Sequence, residues 1–364
     1  MTRLSELTTM RVGGPPASYQ AFTTTRALIA GATQLWSETD DWMVIGSGSN
    51  LVVSDEGIEG ALIHILTRGI TVKRATGQRV QIHAEAGENW DTFVAHTVSQ
   101  GVRGLETLSG IPGTVGGSVI QNIGAYGAEV SDTVVSIDFL EYPSGVRRMV
   151  QASELGLGLR TSSLKTGVLR GIVLGVTFSL EPADDGLSIP LHYAQLVEAL
   201  GVDPGGSSPL SQVRDAVLRI RSTKGMVLST EDPDSVSSGS FFLNPIVSER
   251  VAMGLPHSAP RWLVGPQPED LVVPLGSTPE VPVAKEAWMK LSAAWLIEHS
   301  GIPKGFSLPG SRAAISSKHS LAITNRGGAT ASEVAELARY VITTVGNAWG
   351  IYLVPEPTLV GLEL

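Results

Sequence analysis

The stretch IPGTVGGSVIQNIGAYG, residues 111–127, contains five glycines, one proline and no charged residue. Glycine tolerates positive φ angles and lets another group come close to the main chain. The stretch therefore offers many unblocked N–H groups, and Gln121 and Asn122 add polar side chains beside them. It predicts either a cradle of main-chain amides for an anionic ligand or a place where two backbones pack tightly.

A second glycine-rich segment, IGSGSNLVVSD at residues 45–55, has the same character. Its G-x-G-x-x-L pattern lacks the third glycine of the Rossmann fingerprint, and a strand-like LVVSD follows where that fold requires a helix. A Rossmann dinucleotide site is therefore excluded. Two interpretations stay open: a plain hairpin turn, or a nest of amides that binds an anion with help from Ser47, Ser49 and Asn50.

The composition is that of a globular protein large enough for two or three domains, with 364 residues of which 42% are hydrophobic. A net charge of −9 without a Lys/Arg cluster argues against nucleic acid as the main partner, because phosphate binding needs clustered cations. The chain has no cysteine, which excludes disulfides, thiolate catalysis and thiolate metal sites. We expect a soluble, cytoplasmic protein, since the N-terminus lacks the apolar core of a secretory signal and every apolar run is far shorter than the roughly 20 residues of a membrane helix.

The pattern of elements predicts an α+β chain and not a doubly wound α/β chain, because no βαβ alternation runs along it. Strands are predicted within residues 41–55, 79–87, 131–145 and 170–180, and helices within residues 89–101, 208–225, 285–301 and 330–346. Thr330 and Glu333 have the spacing of a capping box. A Pro/Ser/Gly-rich region at residues 226–282 favours a domain boundary near residue 225.

Both glycine segments closely resemble the flavin-binding segments of bacterial UDP-N-acetylenolpyruvoylglucosamine reductases, which have the FAD-binding fold of vanillyl-alcohol oxidase-like (PCMH-type) proteins. Shorter stretches continue the resemblance in family order: LRTSSLK (159–165), SSGSFFLNPI (237–246), AAWLIEHSGIPKG (293–305) and YLVPEPTLVG (352–361). The resemblance implies a two-part FAD-binding domain, made of residues 1–66 with 353–364 and of residues 67–225. A C-terminal α+β substrate-binding domain would then occupy residues 226–352.

The resemblance implies FAD as the cofactor and NADPH as a reductant that leaves before the substrate enters the same cleft. In the family, both glycine segments cradle FAD, and its diphosphate meets main-chain amides instead of lysines. Diffuse amide dipoles can bind an anion without burying a cation that needs its own partner. The residues implied in cofactor binding are Gly46, Ser47, Gly48, Ser49, Asn50, Leu51, Ile111, Pro112, Gly113, Gly116, Gly117, Ser118, Gln121, Asn122, Gly124, Ala125 and Tyr126.

The implied reaction reduces UDP-N-acetylglucosamine enolpyruvate to UDP-N-acetylmuramate for peptidoglycan synthesis. Hydride from N5 of the reduced flavin adds to one carbon of the C=C bond, and negative charge spreads into the carboxylate as an enolate. Arg160 in LRTSSLK and Glu356 in LVPEP resemble the residues that stabilise this charge, and Ser240 in GSFFLNP resembles the proton donor. Taken alone, each of the three would be interpreted as a surface or loop residue.

Four further residues are implied in substrate binding. Arg221 and Lys224 end a predicted helix and are placed for the UDP diphosphate, although cations at a helix C-terminus also complement its dipole. Asn244 resembles a substrate-binding asparagine, and Tyr193 resembles a tyrosine that closes over the substrate, or else it is a half-buried core residue. Leu159 is a departure, because family members commonly have tyrosine immediately before the arginine.

Two other functions stay open. An oxidase of the same flavin fold would use O₂ and need no nucleotide-sugar site, which would leave GSFFLNP and Lys224 unexplained. A nucleotide-binding module without turnover would make Arg160, Ser240 and Glu356 dispensable. The seven histidines form no H-x-H or H-E-x-x-H pattern, so neither a metal site nor a catalytic role is assigned to them, and a monomer is the default oligomeric state.

Overall fold

The computed structural model describes residues 2–74, 79–264 and 287–364. The strands are β1 (Pro16–Phe22), β2 (Trp42–Ile45), β3 (Leu51–Val53), β4 (Ile58–Ile65), β5 (Ile70–Arg74), β6 (Val80–Glu85), β7 (Val102–Arg103), β8 (Gly124–Ala125), β9 (Ala128–Glu129), β10 (Val134–Glu141), β11 (Arg147–Gln151), β12 (Gly171–Pro182), β13 (Ile246–Ser248), β14 (Arg261–Val264), β15 (Trp288–Leu291), β16 (Ala313–Ile315), β17 (Ile323–Asn325) and β18 (Thr358–Val360). The helices are α1 (Thr25–Glu38), α2 (Trp90–Ser99), α3 (Val115–Gln121), α4 (Ala194–Leu200), α5 (Leu210–Thr223), α6 (Glu249–Met253), α7 (Ala293–Glu298) and α8 (Ala331–Trp349). Within those three ranges, no helix has the length and apolar character needed to span a membrane.

Two sheets form the framework of the first half. In the first, β4 lies between β1 and β2, and both pairings are parallel. The second is antiparallel, with the order β11-β10-β12-β6-β5 and with β7 against the end of β12. The apolar run of β12 is typical of a strand buried on both faces, and β12 is indeed buried along most of its length.

The end of the chain returns to its first quarter. β18 pairs in parallel with β3, which places Thr358 opposite Leu51. Asp55, two residues after β3, accepts hydrogen bonds from the N–H groups of Ala331 and Ser332 at the start of α8. The domain limits stay a prediction. One apolar core contains residues from both sides of the expected boundary at residue 66, because it joins α1 and β4 to β6, β10 and β12.

Most predicted elements are confirmed, and side chains cap the starts of two of the predicted helices. The Asn89 side chain caps α2 by accepting the Thr92 N–H, and the chain turns at Gly101 with a φ of 65°. The predicted capping box of Thr330 and Glu333 opens α8. The apolar face of α5 is buried, namely Val213, Ala216, Val217 and Ile220.

One local prediction is wrong, and one of the two open interpretations of residues 45–55 is excluded. Residues 288–291 form β15 and not the start of a helix, because they pair on both sides with β13 and β14; α7 begins only after its N-cap, Ser292. Residues 285–286 of that predicted helix lie outside the described residues. Residues 46–50 form no hairpin turn, because β2 pairs with β4 whereas β3 pairs with β18. This loop therefore crosses from one sheet to another.

An ion pair anchors the segment that leads into residues 111–127. Asp91 on α2 accepts two hydrogen bonds from the Arg214 guanidinium on α5, at 2.6 and 2.8 Å, and a third from the Gly110 N–H at 2.6 Å. Burial alone would raise the pKa of Asp91, but the Arg214 and Gly110 hydrogen bonds outweigh it and hold that pKa below its usual value. The carboxylate therefore joins two helices and a loop.

We expect Asp91→Asn to lower the free energy of unfolding at neutral pH by about 1–2 kcal/mol, because charged hydrogen bonds are lost. Since the pKa of Asp91 is lower in the folded chain, its contribution is fully present above the unfolded pKa of about 3.9 and is lost as pH falls through the folded pKa. Urea unfolding across the acid range measures this. The exposed Asp215 on α5, the helix that carries Arg214, gives the control Asp215→Asn. Equal stability of Asp91→Asn and the parent at neutral pH would contradict the role of Asp91.

Candidate active site

A cavity of about 590 Å³ brings the two glycine-rich segments together. All the residues implied in cofactor binding line it except Asn122. The residues implied in catalysis and in substrate binding line the same cavity, namely Arg160, Ser240, Glu356, Tyr193, Arg221, Lys224 and Asn244. Segments that are far apart in the sequence therefore face one space.

The two glycine segments touch each other. A Cβ atom on Gly46 would lie 2.5 Å from Thr114 Oγ1, and one on Gly113 would lie 3.4 Å from Ser49 Oγ. The first distance is too short for any side chain, so the approach depends on glycine at position 46. Thr114 also caps the short helix α3 by accepting the Gly117 N–H. The sequence pattern did not predict this helix.

The loop between β2 and β3 presents main-chain amides that the protein leaves unpaired. Over the described ranges, the N–H groups of residues 47–50 donate to no protein acceptor. On the opposite segment, Nε2 of Gln121 is buried without a partner, whereas its Oε1 accepts a hydrogen bond from Lys165 Nζ at 2.7 Å. Unpaired amides around a cavity are the donors that an anionic ligand requires.

Asn122 differs from the other residues implied in cofactor binding, because it does not line the cavity and its side chain is fully buried. Its amide donates to Glu129 Oε2 at 3.0 Å and to the Gly158 carbonyl at 2.9 Å, and its Oδ1 accepts the Ser131 N–H at 3.0 Å. These three partners occupy the side chain. Asn122 therefore holds the turn that carries Arg160, and it is not among the residues that line the cavity.

Arg160 is fixed at the cavity wall by its backbone and by three hydrogen bonds. Its φ of 53° lies in the left-handed region, which is strained for a residue with a Cβ atom. The guanidinium donates to Glu356 Oε1 at 3.0 Å, to the Asn122 carbonyl at 3.2 Å and to the Gly124 carbonyl at 2.5 Å. The two residues implied in charge stabilisation are therefore in direct contact, and the cation is held in place before any substrate arrives.

Ser240 and Glu356 reach the cavity on segments that the main chain ties together. The Phe241 N–H donates to the Leu321 carbonyl at 2.7 Å, and the Glu356 N–H donates to the Phe241 carbonyl at 2.9 Å. Phe241 itself is fully buried, which fixes the residue beside Ser240 in the core. The Ser240 hydroxyl lies 3.2 Å from Nε2 of His319.

The residues implied in substrate binding include an aromatic pair and a cation. Tyr193 packs edge-on against Tyr126, with ring centroids 5.3 Å apart, and is 44% exposed. Lys224 donates from Nζ to Gln195 Oε1 at 2.7 Å. Burial, and then the positive charge of Arg221, lowers the pKa of Lys224 from its usual value. An anionic ligand placed here would offset both effects.

Arg221 and Asn244 border the same cavity from different elements. Arg221 donates to the Met226 carbonyl at 2.8 Å, while its Nε is buried without a partner. Asn244 accepts the Ala293 N–H at 3.0 Å, which ties its side chain to the start of α7. Both side chains are thus positioned by contacts within the protein.

Comparison with known proteins assigns both parts of the chain. Residues 16–150 match the model of an FAD binding domain, and residues 232–360 match the C-terminal domain of UDP-N-acetylenolpyruvoylglucosamine reductase. The reductase of that name from Leifsonia xyli subsp. xyli is 49% identical over 99% of this chain and 98% of its own length. The one from Saccharopolyspora erythraea is 44% identical over 99% and 95%. The chain belongs to the UDP-N-acetylenolpyruvoylglucosamine reductase family.

A solved structure of this reductase family shows the same fold. The crystal structure of UDP-N-acetylenolpyruvylglucosamine reductase from Thermus caldophilus aligns with a TM-score of 0.61 at 24% identity, over 99% of this chain and 97% of that one. The predicted fold class, an α+β chain with an FAD-binding domain and a C-terminal domain of the reductase family, is confirmed.

The departure at Leu159 lies away from the cavity. Leu159 is 55% exposed and is not among the lining residues, whereas Arg160 is. In this member of the reductase family, the position before the arginine therefore contributes no side chain to the cavity.

Sequence reasoning missed Lys165 and His319, which are among the polar residues that line the cavity and contact predicted ones. Lys165 donates to Gln121 Oε1 and, at 3.1 Å, to the Arg160 carbonyl. It ends the motif LRTSSLK, so that motif contained the signal for it. His319 contacts Ser240 across 79 positions of sequence, and its surroundings contain no pattern that would have singled it out.

Proposed function

We propose that the protein is an FAD-dependent reductase that converts UDP-N-acetylglucosamine enolpyruvate into UDP-N-acetylmuramate, with NADPH as reductant, for peptidoglycan synthesis. The observation that carries this proposal is the cavity in which both glycine segments meet Arg160, Ser240 and Glu356. Family membership supports the choice of substrate and reductant. The cavity supplies the charged and proton-donating groups that such a reduction needs.

The main chain would hold FAD. The unpaired amides of residues 47–50, the buried Nε2 of Gln121 and the close approach at Gly46 fit a diphosphate bound without a buried counter-charge. When bound and reduced, FAD supplies the hydride. The matched FAD binding domain at residues 16–150 contains all three features.

Gly46→Ala should weaken FAD binding roughly 10- to 100-fold, because the new methyl group would collide with Thr114 Oγ1 and push the two segments apart. Titration of the apoprotein with FAD, followed by flavin fluorescence, measures this. Gly254→Ala is the control, since a Cβ atom there would meet nothing closer than a main-chain oxygen at 3.3 Å and Gly254 lies outside the cavity lining. An unchanged dissociation constant for Gly46→Ala would contradict the cradle.

Arg160 would stabilise the charge that develops on the substrate, and Glu356 would add to this in its acid form, which donates a hydrogen bond to the anion. As the C=C bond accepts a hydride, negative charge spreads into the neighbouring carboxylate. A guanidinium presents several N–H donors in one plane and stays protonated, so it suits a carboxylate that becomes an enolate. Arg160 is already held by Glu356 and two main-chain carbonyls, so it need not reorganise during the reaction.

Ser240 would protonate the carbon that does not receive the hydride. A serine hydroxyl is a weak acid, so it serves only where the acceptor is a strong base and the geometry is fixed. Phe241, the next residue in the chain, donates its N–H to Leu321 and accepts the N–H of Glu356, and these two main-chain hydrogen bonds would fix the geometry of Ser240.

Arg221 and Lys224 would bind the UDP diphosphate, with Tyr193 closing over the substrate and Asn244 adding a hydrogen bond. Lys224 and Arg221 repel each other in the absence of an anion, and this repulsion is part of what lowers the pKa of Lys224. A diphosphate between them would relieve it. An oxidase of the same fold needs no such pair of cations.

Anaerobic mixing separates the candidate functions. The reductase proposal expects NADPH to bleach the bound flavin and the enolpyruvyl sugar to restore its colour without oxygen. Restoration by air and not by the sugar would favour the oxidase. A purified protein that takes up no FAD at all would overturn the proposal.

We further propose that the enzyme acts as a monomer in the cytoplasm. The absence of cysteine from the chain fits a reducing compartment. Elution in size-exclusion chromatography at the mass of one chain, 38.3 kDa, would support the monomer.

A further inference from the structure

His319 lies beside the proposed proton donor. Its Nε2 is 3.2 Å from Ser240 Oγ, and both residues line the cavity. Two hydrogen-bond arrangements fit this distance. The hydroxyl can donate to the ring, which aims its proton away from the substrate, or the ring N–H can donate to Oγ, which leaves the hydroxyl proton free for delivery.

The turn that carries His319 is held rigidly. The His319 N–H donates to Ser316 Oγ at 3.2 Å, and the neighbouring Ser317 is bound by Asp234 through both its N–H, at 2.8 Å, and its hydroxyl, at 2.6 Å. Arg326 pairs with the same carboxylate at 3.2 Å. The main chain that carries the imidazole is therefore fixed beside Ser240.

The surroundings of His319 favour a neutral ring and an anionic neighbour. Burial first, and then the charges of Lys224, Lys304 and Arg221, lower its pKa to about 4, against an opposing effect of Glu298. At neutral pH the ring thus carries one proton. Among the described residues, none bonds to Nδ1 of His319, so the ring is free to carry that proton on Nε2.

We propose that His319 is a positioning residue for the protonation step, in which its Nε2–H donates a hydrogen bond to Ser240 Oγ. This inference rests on the proposed function. The Ser240 O–H bond breaks, the proton joins the substrate carbanion, and the electron pair stays on Oγ as an alkoxide. The hydrogen bond from His319 stabilises that alkoxide until solvent returns a proton to it.

The test compares two amides at position 319 in the holoenzyme. The Gln side-chain nitrogen can occupy the place of Nε2, whereas the shorter Asn side chain cannot reach it. We expect His319→Asn to slow reoxidation of the reduced flavin by the enolpyruvyl sugar about 10- to 100-fold, and His319→Gln to recover most of that loss. Reduction by NADPH should stay unchanged in both. An equal loss in His319→Asn and His319→Gln, or an equal loss in both half-reactions, would overturn the proposal.

A double variant shows whether His319 acts through Ser240. Ser240→Ala with His319→Asn should be no slower in reoxidation than Ser240→Ala alone, and losses that multiply would overturn the inference. A slow Ser240→Ala beside a fast His319→Asn would refute the role of His319 and leave the proposed function intact. A fast Ser240→Ala would instead refute the proton donor of the proposed function, and this inference with it.

The pH profile gives a further readout. Because the ring is neutral, its titration should not affect reoxidation between about pH 5 and pH 8. Any fall in the reoxidation rate of the parent over that range should therefore also occur in His319→Gln. A loss of rate as pH rises through that range, abolished in His319→Gln, would mean that protonated His319 is itself the acid and would overturn the proposal. Lys224, Lys304, Glu298 and Arg221 are the charged groups that act on this ring.

Discussion

Ser240→Ala should leave the reduction of bound FAD by NADPH nearly unchanged and slow reoxidation by the enolpyruvyl sugar roughly 10²- to 10⁴-fold. The asymmetry arises because a proton donor is needed only when the substrate carbanion is formed, and general acids contribute rate factors of about this size. Stopped-flow measurement of the two half-reactions under anaerobic conditions reports each one separately.

Ser248→Ala is the matched control for this variant. Ser248 precedes α6, makes no side-chain capping hydrogen bond and is not among the residues that line the cavity. We expect it to match the parent in both half-reactions. If Ser240→Ala slowed both half-reactions equally, the serine would have a role in folding or cofactor binding instead of proton donation.

Arg160→Lys should slow reoxidation by the enolpyruvyl sugar roughly 10²- to 10³-fold, although it keeps the positive charge. One ammonium group cannot replace the hydrogen bonds to Glu356 and to two main-chain carbonyls while also meeting the substrate carboxylate. Loss of one preorganised donor to a developing anion commonly has this effect. Reduction by NADPH should fall much less, because no enolate forms in that step.

Arg147→Lys is the control for Arg160→Lys. Arg147 also pairs with a carboxylate, that of Asp138, but on β11 and away from the cavity. We expect it to leave both half-reactions unchanged. An Arg160→Lys variant with parental reoxidation would show that charge alone suffices and would contradict the fixed geometry proposed for the guanidinium.

The glycine-rich walls of the cavity could be singled out from the sequence because their chemistry is local, whereas their role in cofactor binding came from the family resemblance. Glycine-rich segments can be recognised in a sequence because close approach and positive φ angles are properties of one residue type. The segments at residues 45–55 and 111–127 line one cavity. The start of α8 was equally predictable, since the capping box of Thr330 and Glu333 lies within four positions.

Features that depend on distant parts of the chain escaped prediction. Residues 288–291 became a strand because β13 and β14 were available to pair with them. The side chain of Asn122 forms hydrogen bonds with Glu129, Gly158 and Ser131, and no local sequence pattern indicates these contacts. The contact between His319 and Ser240 likewise exists only in the folded chain.

A crystal structure of the holoenzyme with the enolpyruvyl sugar tests the central claim most directly. We predict that the FAD diphosphate binds the amides of residues 47–50 and of the facing glycine segment, with the substrate carboxylate in contact with Arg160 and the enolpyruvyl group beside Ser240. Density for FAD at another place, or a nucleotide sugar bound beyond the reach of both residues, would contradict the account.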